Sequence, residues 1–302
     1  MVSIEQRLSL STCWCSARHT DGYAMIKEIR ELGFQRTELS HGIRMTLVPG
    51  IMQALDEGLI EVSSVHNFCP LPASVNHAAP NLFQPSAKSK TELLSWERYS
   101  KQTIEFAARI GAPHIVMHSG SVQFRFRSPR EVLENVEAVV EAREAAWYKL
   151  VGASAKRLPV VIEQYEKLMD HAEEHDVVMG AENREDVLEL PLDTEFVKML
   201  KPFDEQPRLR YWHDTGHAEL KHLLGFIDHE EHLERMASRL IGFHLHDVVE
   251  GRDHQIPGTG SVDFQMIKRF VRPEHTLVLE PSPKLTPEEI SRSREYLIDT
   301  LS

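Results

Sequence analysis

The chain has 302 residues, 41% hydrophobic and 26% charged, with 46 acidic against 34 basic side chains and a formal net charge of −12. That length suits one α/β barrel without requiring a second domain, and the apolar share supports a sizeable core. The acid excess and the lack of a long Lys/Arg run speak against nucleic acid as a partner, no run nears the roughly 18 apolar residues of a membrane span, and the N-terminus lacks a charged-then-apolar secretion signal.

Three cysteines, Cys13, Cys15 and Cys69, are too few for a disulfide framework and fit a reducing cytoplasm. Cys13 and Cys15 read as structural strand residues, at the end of a first strand expected over about residues 8–14. Met25, Ile26, Ile29 and Leu32 then share one helical face, and Gly33 stands where a helix ends. Strands follow at 36–40, with Glu38 near its end, and at 61–66, ending on His66. From Pro70 to about Ser95 the chain carries Pro70, Pro72, Pro80 and Pro85, which predicts a long loop over the C-terminal face of the sheet, where a lid could form.

A helical run ending at Gly111 leads to a strand at 114–118, ending on His118. The connection over 121–176 is long enough for two helices, split near Gly152. Four more strands are expected at 177–182, 209–214, 241–246 and 276–280. Eight strands alternating with helices predict a parallel sheet closed on itself, a (β/α)8 TIM barrel over residues 1–302 as one domain.

In such a barrel the C-terminal strand ends converge on one site. The last four strands end in Glu182, Asp214, His244 and Glu280, separated by 32, 30 and 36 residues, each about one βα unit. Read alone, an acidic residue at a strand end is usually solvated or caps a helix. Four in register make a hard oxygen and nitrogen set suited to one divalent ion, Mn²⁺, Mg²⁺, Co²⁺ or Zn²⁺. Around it stand His66, His118, His217 and His254, each able to contact substrate or hold a second or third ion, and Glu38, a candidate substrate contact. His246 leaves the same strand face as His244, placed to support a ligand. His41, His77, His171, His175, His222, His229 and His232 read as surface positions. Pro257-Gly258-Thr259-Gly260 is a turn without the strand–helix context of a dinucleotide site.

Glu182-Asn183, His213-Asp214-Thr215-Gly216-His217, His244-Leu245-His246-Asp247, Asp253-His254 through Gly260, and Glu280 together resemble the xylose-isomerase-like TIM barrels, also called the AP endonuclease 2 superfamily. The resemblance implies one metal on Glu182, Asp214, His244 and Glu280, proton transfer by Glu182 and Glu280, and contact of His217 with substrate oxygens. It implies an isomerase or epimerase of a small carbohydrate, keto-sugar or polyol; the cysteine usage points to the cytoplasm, and barrels often self-associate, so a homo-oligomer is one open outcome. A keto-sugar lyase or dehydratase on the same site, a multinuclear metallohydrolase of the endonuclease IV type and a barrel that binds without turnover are the alternatives. Two departures stand out. The epimerases carry an arginine where this chain has His254, and the Asp of endonuclease IV's Asp-x-His motif falls on Arg252, with Asp253 beside it.

Overall fold

Side chains alternate across a strand, so each strand of a closed barrel offers one face to its interior and one to its helices. Seven strands follow in order: β1 (Leu8–Ser11), β2 (Arg36–Leu39), β3 (Glu61–His66), β4 (His114–Met117), β5 (Val178–Glu182), β6 (Leu209–Asp214) and β7 (Leu240–Leu245). A hairpin, β8 (Asp247–Val249) and β9 (Arg252–Gln255), intervenes before β10 (Thr276–Leu279). In the computed structural model, which describes residues 3–302, β1 to β7 and β10 form a closed parallel barrel in chain order, with β10 beside β1. All eight expected barrel strands are present, and the hairpin is additional.

Local chemistry sets the helix ends. Helix α1 (Ile4–Arg7) is a single turn; α2 (Gly22–Glu31) starts where the Asp21 carboxylate accepts the Tyr23 N–H at 3.0 Å. It stops before Gly33, whose φ of +87° only glycine adopts freely. Helix α3 spans Val48–Asp56, and α4 runs from Lys90 to Arg109 behind a Ser89 cap, so the long loop after β3 is shorter than expected. After β4 come α5 (Arg130–Glu134), α6 (Val140–Glu166) and α7 (Met169–Glu174). The expected split at Gly152 does not occur: α6 passes through it because Leu150, Ser154, Leu158 and Val161 bury one continuous stripe. The remaining helices are α8 (Phe196–Leu200), α9 (Thr215–Leu223), α10 (His229–Met236), α11 (Phe264–Lys268) and α12 (Pro287–Leu301).

Outward residues such as Leu10, Val65, Ile115, Met179, Phe243 and Leu277 are fully buried between strands and helices, each contributing about 1.5–3 kcal/mol. The interior holds a second, small apolar layer of Val116, Trp212 and Val278. Trp212 needs glycine on the neighbouring strands: a Cβ at Gly242 would come within 2.4 Å of the indole, and one at Gly180 within 3.0 Å of the Trp212 Cβ. Above this layer lies a tier of polar residues, where the site forms.

Other expectations shift. Strand β1 ends at Ser11, and Cys13 lies in a 3-10 turn with Cys15 capping it, not in the strand. The three cysteines are free thiols. His229 and His232, read as surface residues, are buried on α10, because they share the inward face with Leu233 and Met236. There Tyr211 Oη lies 2.9 Å from both His213 Nδ1 and His232 Nε2, and His229 Nδ1 donates to Glu219 at 3.1 Å. Among the described residues no helix is long and apolar enough to cross a membrane.

Candidate metal centre

Parallel register brings the strand ends level: Asp214 pairs with His244, Glu182 with Trp212, and Ser11 with Glu38. His244 sits at the centre. Its Nδ1 lies 2.5 Å from Glu182 Oε1, 3.0 Å from Glu280 Oε2 and 3.8 Å from Asp214 Oδ2. One ligand atom from each of Glu182, Asp214, His244 and Glu280 falls within 4.8 Å of the others, and all four residues are buried.

Glu38, expected to face substrate, lies behind His244 instead. It is fully buried; Ser11 Oγ and Ser64 Oγ donate to it at 2.9 and 2.8 Å, and His244 Nε2–H donates at 3.0 Å. With an ion bound, that bond would keep the imidazole proton on Nε2 and turn the Nδ1 lone pair to the ion, as metal-binding histidines are commonly held. In the metal-free site burial disfavours the charged ring, yet Glu280, Glu38 and Glu182 raise the His244 pKa well above its ordinary value, and Nδ1–H donates to Glu182. Asp214 is held as firmly. Its Oδ1 accepts the His217 N–H at 2.8 Å, capping α9, and its Oδ2 accepts His246 Nε2–H at 2.9 Å. The Asn183 amide clamps the Asp214 backbone from both sides, at 2.7 and 2.9 Å.

The two dense motifs now read residue by residue. In His213 to His217, Thr215 Oγ1 bonds the His246 backbone at 2.8 and 3.1 Å, and a Cβ at Gly216 would strike the His246 ring at 2.2 Å. In His244 to Asp247, His246 orients Asp214, while its Nδ1 accepts the His254 N–H at 2.9 Å. Both His246 nitrogens are therefore engaged, and His246 is not free to bind an ion with its neighbours His217 and His254. Asp247 accepts four backbone N–H groups, from Val248, Gly258, Gly260 and Val262, at 2.8–3.0 Å. The Pro257–Gly260 turn is thus wrapped around one carboxylate.

The other expected residues surround this core. His217 Nδ1–H donates to the Asn183 carbonyl at 2.9 Å, and its Nε2 faces Glu185 at 3.3 Å and Asp253 at 3.6 Å. His254 Nδ1–H donates to the Glu280 carbonyl at 2.9 Å; its φ of +54° is the left-handed conformation that histidine tolerates better than most residues. His118 Nε2 is 3.0 Å from Glu182 Oε2, and the His66 and His118 rings meet edge-on at 4.7 Å. His41, read as a surface residue, packs its ring against His66 at 4.9 Å. A cleft of about 520 Å³, lined in part by Asn81, Glu185 and Glu189, opens beside these groups.

Sequence reasoning passed over Arg184, whose Nη1 donates to Glu182 Oε2 at 2.6 Å. The signal was present: Arg184 stands two positions past Glu182, on the same side of an extended chain. Burial opposes ionisation of Glu182, yet Arg184 and His244 hold its carboxyl well below the usual range. Burial, with Glu38 and Glu182 close by, pushes the Glu280 carboxyl up to about 7, against the pull of His244 and His254.

The donor set fits a divalent ion. Glu38, Glu182, Asp214 and Glu280 are four buried carboxylates, and of these Arg184 touches Glu182. Leaving such charge uncompensated in a dry interior is expensive. A dication among the converging donors would offset it, taking the place of the proton on His244 Nδ1.

Fold and cluster together define a (β/α)8 barrel with a metal-capable centre at the C-terminal ends of its strands. The chain belongs to the xylose isomerase-like TIM barrel family, whose model matches residues 26–299. Sequence comparison with curated proteins finds no match. Among solved structures, a D-tagatose 3-epimerase-like protein aligns with TM-score 0.68 and 14% identity, over 97% of this chain and 98% of that one. A 3-keto-D-glucoside 4-epimerase from E. coli gives 0.68 and 12%, over 98% and 99%. A D-psicose 3-epimerase from Clostridium cellulolyticum H10, solved with D-tagatose, gives 0.68 and 11%, over 98% and 99%.

Proposed function

We propose that this barrel is a metal-dependent isomerase or epimerase of a small carbohydrate, keto-sugar or polyol. The observation that carries the reading is the convergence of Glu182, Asp214, Glu280 and the oriented Nδ1 of His244 within 4.8 Å. These four residues would hold one Mn²⁺, Mg²⁺, Co²⁺ or Zn²⁺. When bound, the ion supplies Lewis acidity that makes the C–H beside a substrate carbonyl easier to ionise.

Glu182 and Glu280 move the proton. One carboxylate removes it from the carbon beside the carbonyl, leaving an enediolate of the sugar. The other returns a proton, to the opposite face of the same carbon in epimerisation or to the neighbouring carbon in isomerisation. In the metal-free site burial raises the Glu280 carboxyl to about 7, while Arg184 and His244 outweigh burial and hold Glu182 low. That contrast supports different duties for the two, although a bound dication would lower both. His217 and His254, with Nδ1–H bonds to backbone carbonyls, would offer Nε2 to sugar hydroxyls, in His217 in exchange for its contacts with Glu185 and Asp253.

The test is turnover of a ketose panel in D₂O with Mn²⁺ or Co²⁺ supplied. The expected result is a product of unchanged mass apart from deuterium gained at the reacting carbon. Glu182→Gln and Glu280→Gln should each lower kcat by about 10²–10⁴-fold. Near-normal rates in both variants would refute the proton shuttle. A product lighter by one water would move the assignment to a dehydratase on the same site. A second reading, a multinuclear metallohydrolase, is favoured by the proximity of His66 and His118 to Glu182; hydrolysis of phosphoesters with two or more ions per chain would support it.

A further inference from the structure

Three donors beside the main centre look like a second cation pocket. Ligand atoms of His66, His118 and Glu182 lie within 4.8 Å of one another, and all three residues are buried. Their hydrogen bonds set the tautomers. His118 Nδ1–H donates to Asn81 Oδ1 at 3.1 Å, and the Asn81 amide is itself oriented because its Nδ2–H donates to Glu189 at 3.4 Å. The His118 Nε2 lone pair then faces Glu182 Oε2, an acceptor facing an acceptor, and this buried nitrogen has no hydrogen-bond partner. His66 Nδ1–H donates to the Asn67 carbonyl at 3.1 Å, which frees its Nε2 likewise. Two imidazoles and a carboxylate are a common zinc set.

Arg184 reaches the same oxygen of Glu182 that faces His118, at 2.6 Å against 3.0 Å. Each arm of its guanidinium is paired: Nη1 with Glu182 Oε2 at 2.6 Å, Nη2 with Glu185 at 2.8 Å, and Nε with Glu189 at 3.3 Å. Each of its three nitrogens has a carboxylate partner, its side chain is only 12% exposed, and Arg carries its charge at any working pH. Glu189 closes the ring through Asn81 back to His118. The oxygen that would join a second ion to the first is therefore claimed, and a dication there would meet a fixed positive charge at short range in a dry interior.

We propose that Arg184 is a built-in cation that takes the place of a second metal ion between His118 and Glu182 and keeps the centre mononuclear. The inference rests on the metal reading above and deepens it. It makes Arg184 a positioning residue, fixing one oxygen of Glu182 so that the other faces His244.

Metal content after equilibration with Zn²⁺ or Co²⁺ and gel filtration tests the proposal without any substrate. Wild type should retain one ion per chain and Arg184→Met two, and His118→Ala added to that variant should return the count to one. The Co²⁺ visible spectrum should gain a second set of bands in Arg184→Met alone. Two ions on wild type overturn the proposal whether or not the variant folds, as does a folded Arg184→Met that still holds one. His118→Ala on wild type should leave the count at one, and a drop would place an ion at His118 and overturn it. No ion on wild type would fail the metal reading itself, an outcome distinct from the others.

Discussion

The Glu38–His244 contact shows how one buried carboxylate works through another residue. Glu38 touches no solvent, but it fixes which nitrogen of His244 an ion would meet. Glu38→Gln keeps the shape and removes the charge, so divalent-ion affinity should fall by about 10–100-fold while the fold persists. Competition against a chromophoric chelator measures this, and wild-type affinity would mean that His244 is oriented by something else. Glu182, Asp214, His244 and Glu280 were legible because strand ends in a barrel share a direction. The role of Glu38 was not, since the pairing of β2 and β3 slips between Thr37 and Glu38, and Ser11 and Ser64 flank its carboxylate only in three dimensions. His229 and His232 could have been read: with Leu233 and Met236 they follow a helical stripe, and the polarity of His masked it.

Among the elements, the β8–β9 hairpin with its following turn was the least legible. Its strands are three and four residues long and mostly polar, below what periodicity can detect. What holds the hairpin is Asp247, with four N–H donors on two oxygens. Asp247→Ala leaves those groups without a partner and should destabilise the protein by about 2–4 kcal/mol. It should also disorder His254, which hangs from β9. Urea unfolding would show a lower midpoint, and an unchanged one would mean that water replaces the carboxylate. Helix α6 teaches the opposite lesson. Gly152 looks like a break, but it sits on the solvent side with open space around it, and its roughly 1 kcal/mol penalty is outweighed by the buried stripe.

At the scale of the molecule, architecture was legible because eight short strand segments, each with a polar residue at or just past its end, alternate with helical ones. The site makes stability and cation binding one problem. Removing a bound dication with a chelator leaves Glu38, Glu182, Asp214 and Glu280 buried, with Arg184 paired to Glu182 alone among them. The melting temperature should drop by several degrees and recover when Mn²⁺, Co²⁺ or Zn²⁺ is restored, since binding at 100 times Kd contributes about 2.7 kcal/mol. Calorimetry with and without chelator checks this; identical melting curves with metal loss verified would contradict it.

Trp212 gives the barrel a floor. With Val116 and Val278 the indole seals the cylinder below the polar tier, packed into the space that Gly180 and Gly242 leave open. Among the described residues this layer closes the barrel axis, as side-chain layers do in (β/α)8 barrels. Any molecule that reaches Glu280 must back out through the doorway by which it came, so arrivals and departures share one threshold and queue for it.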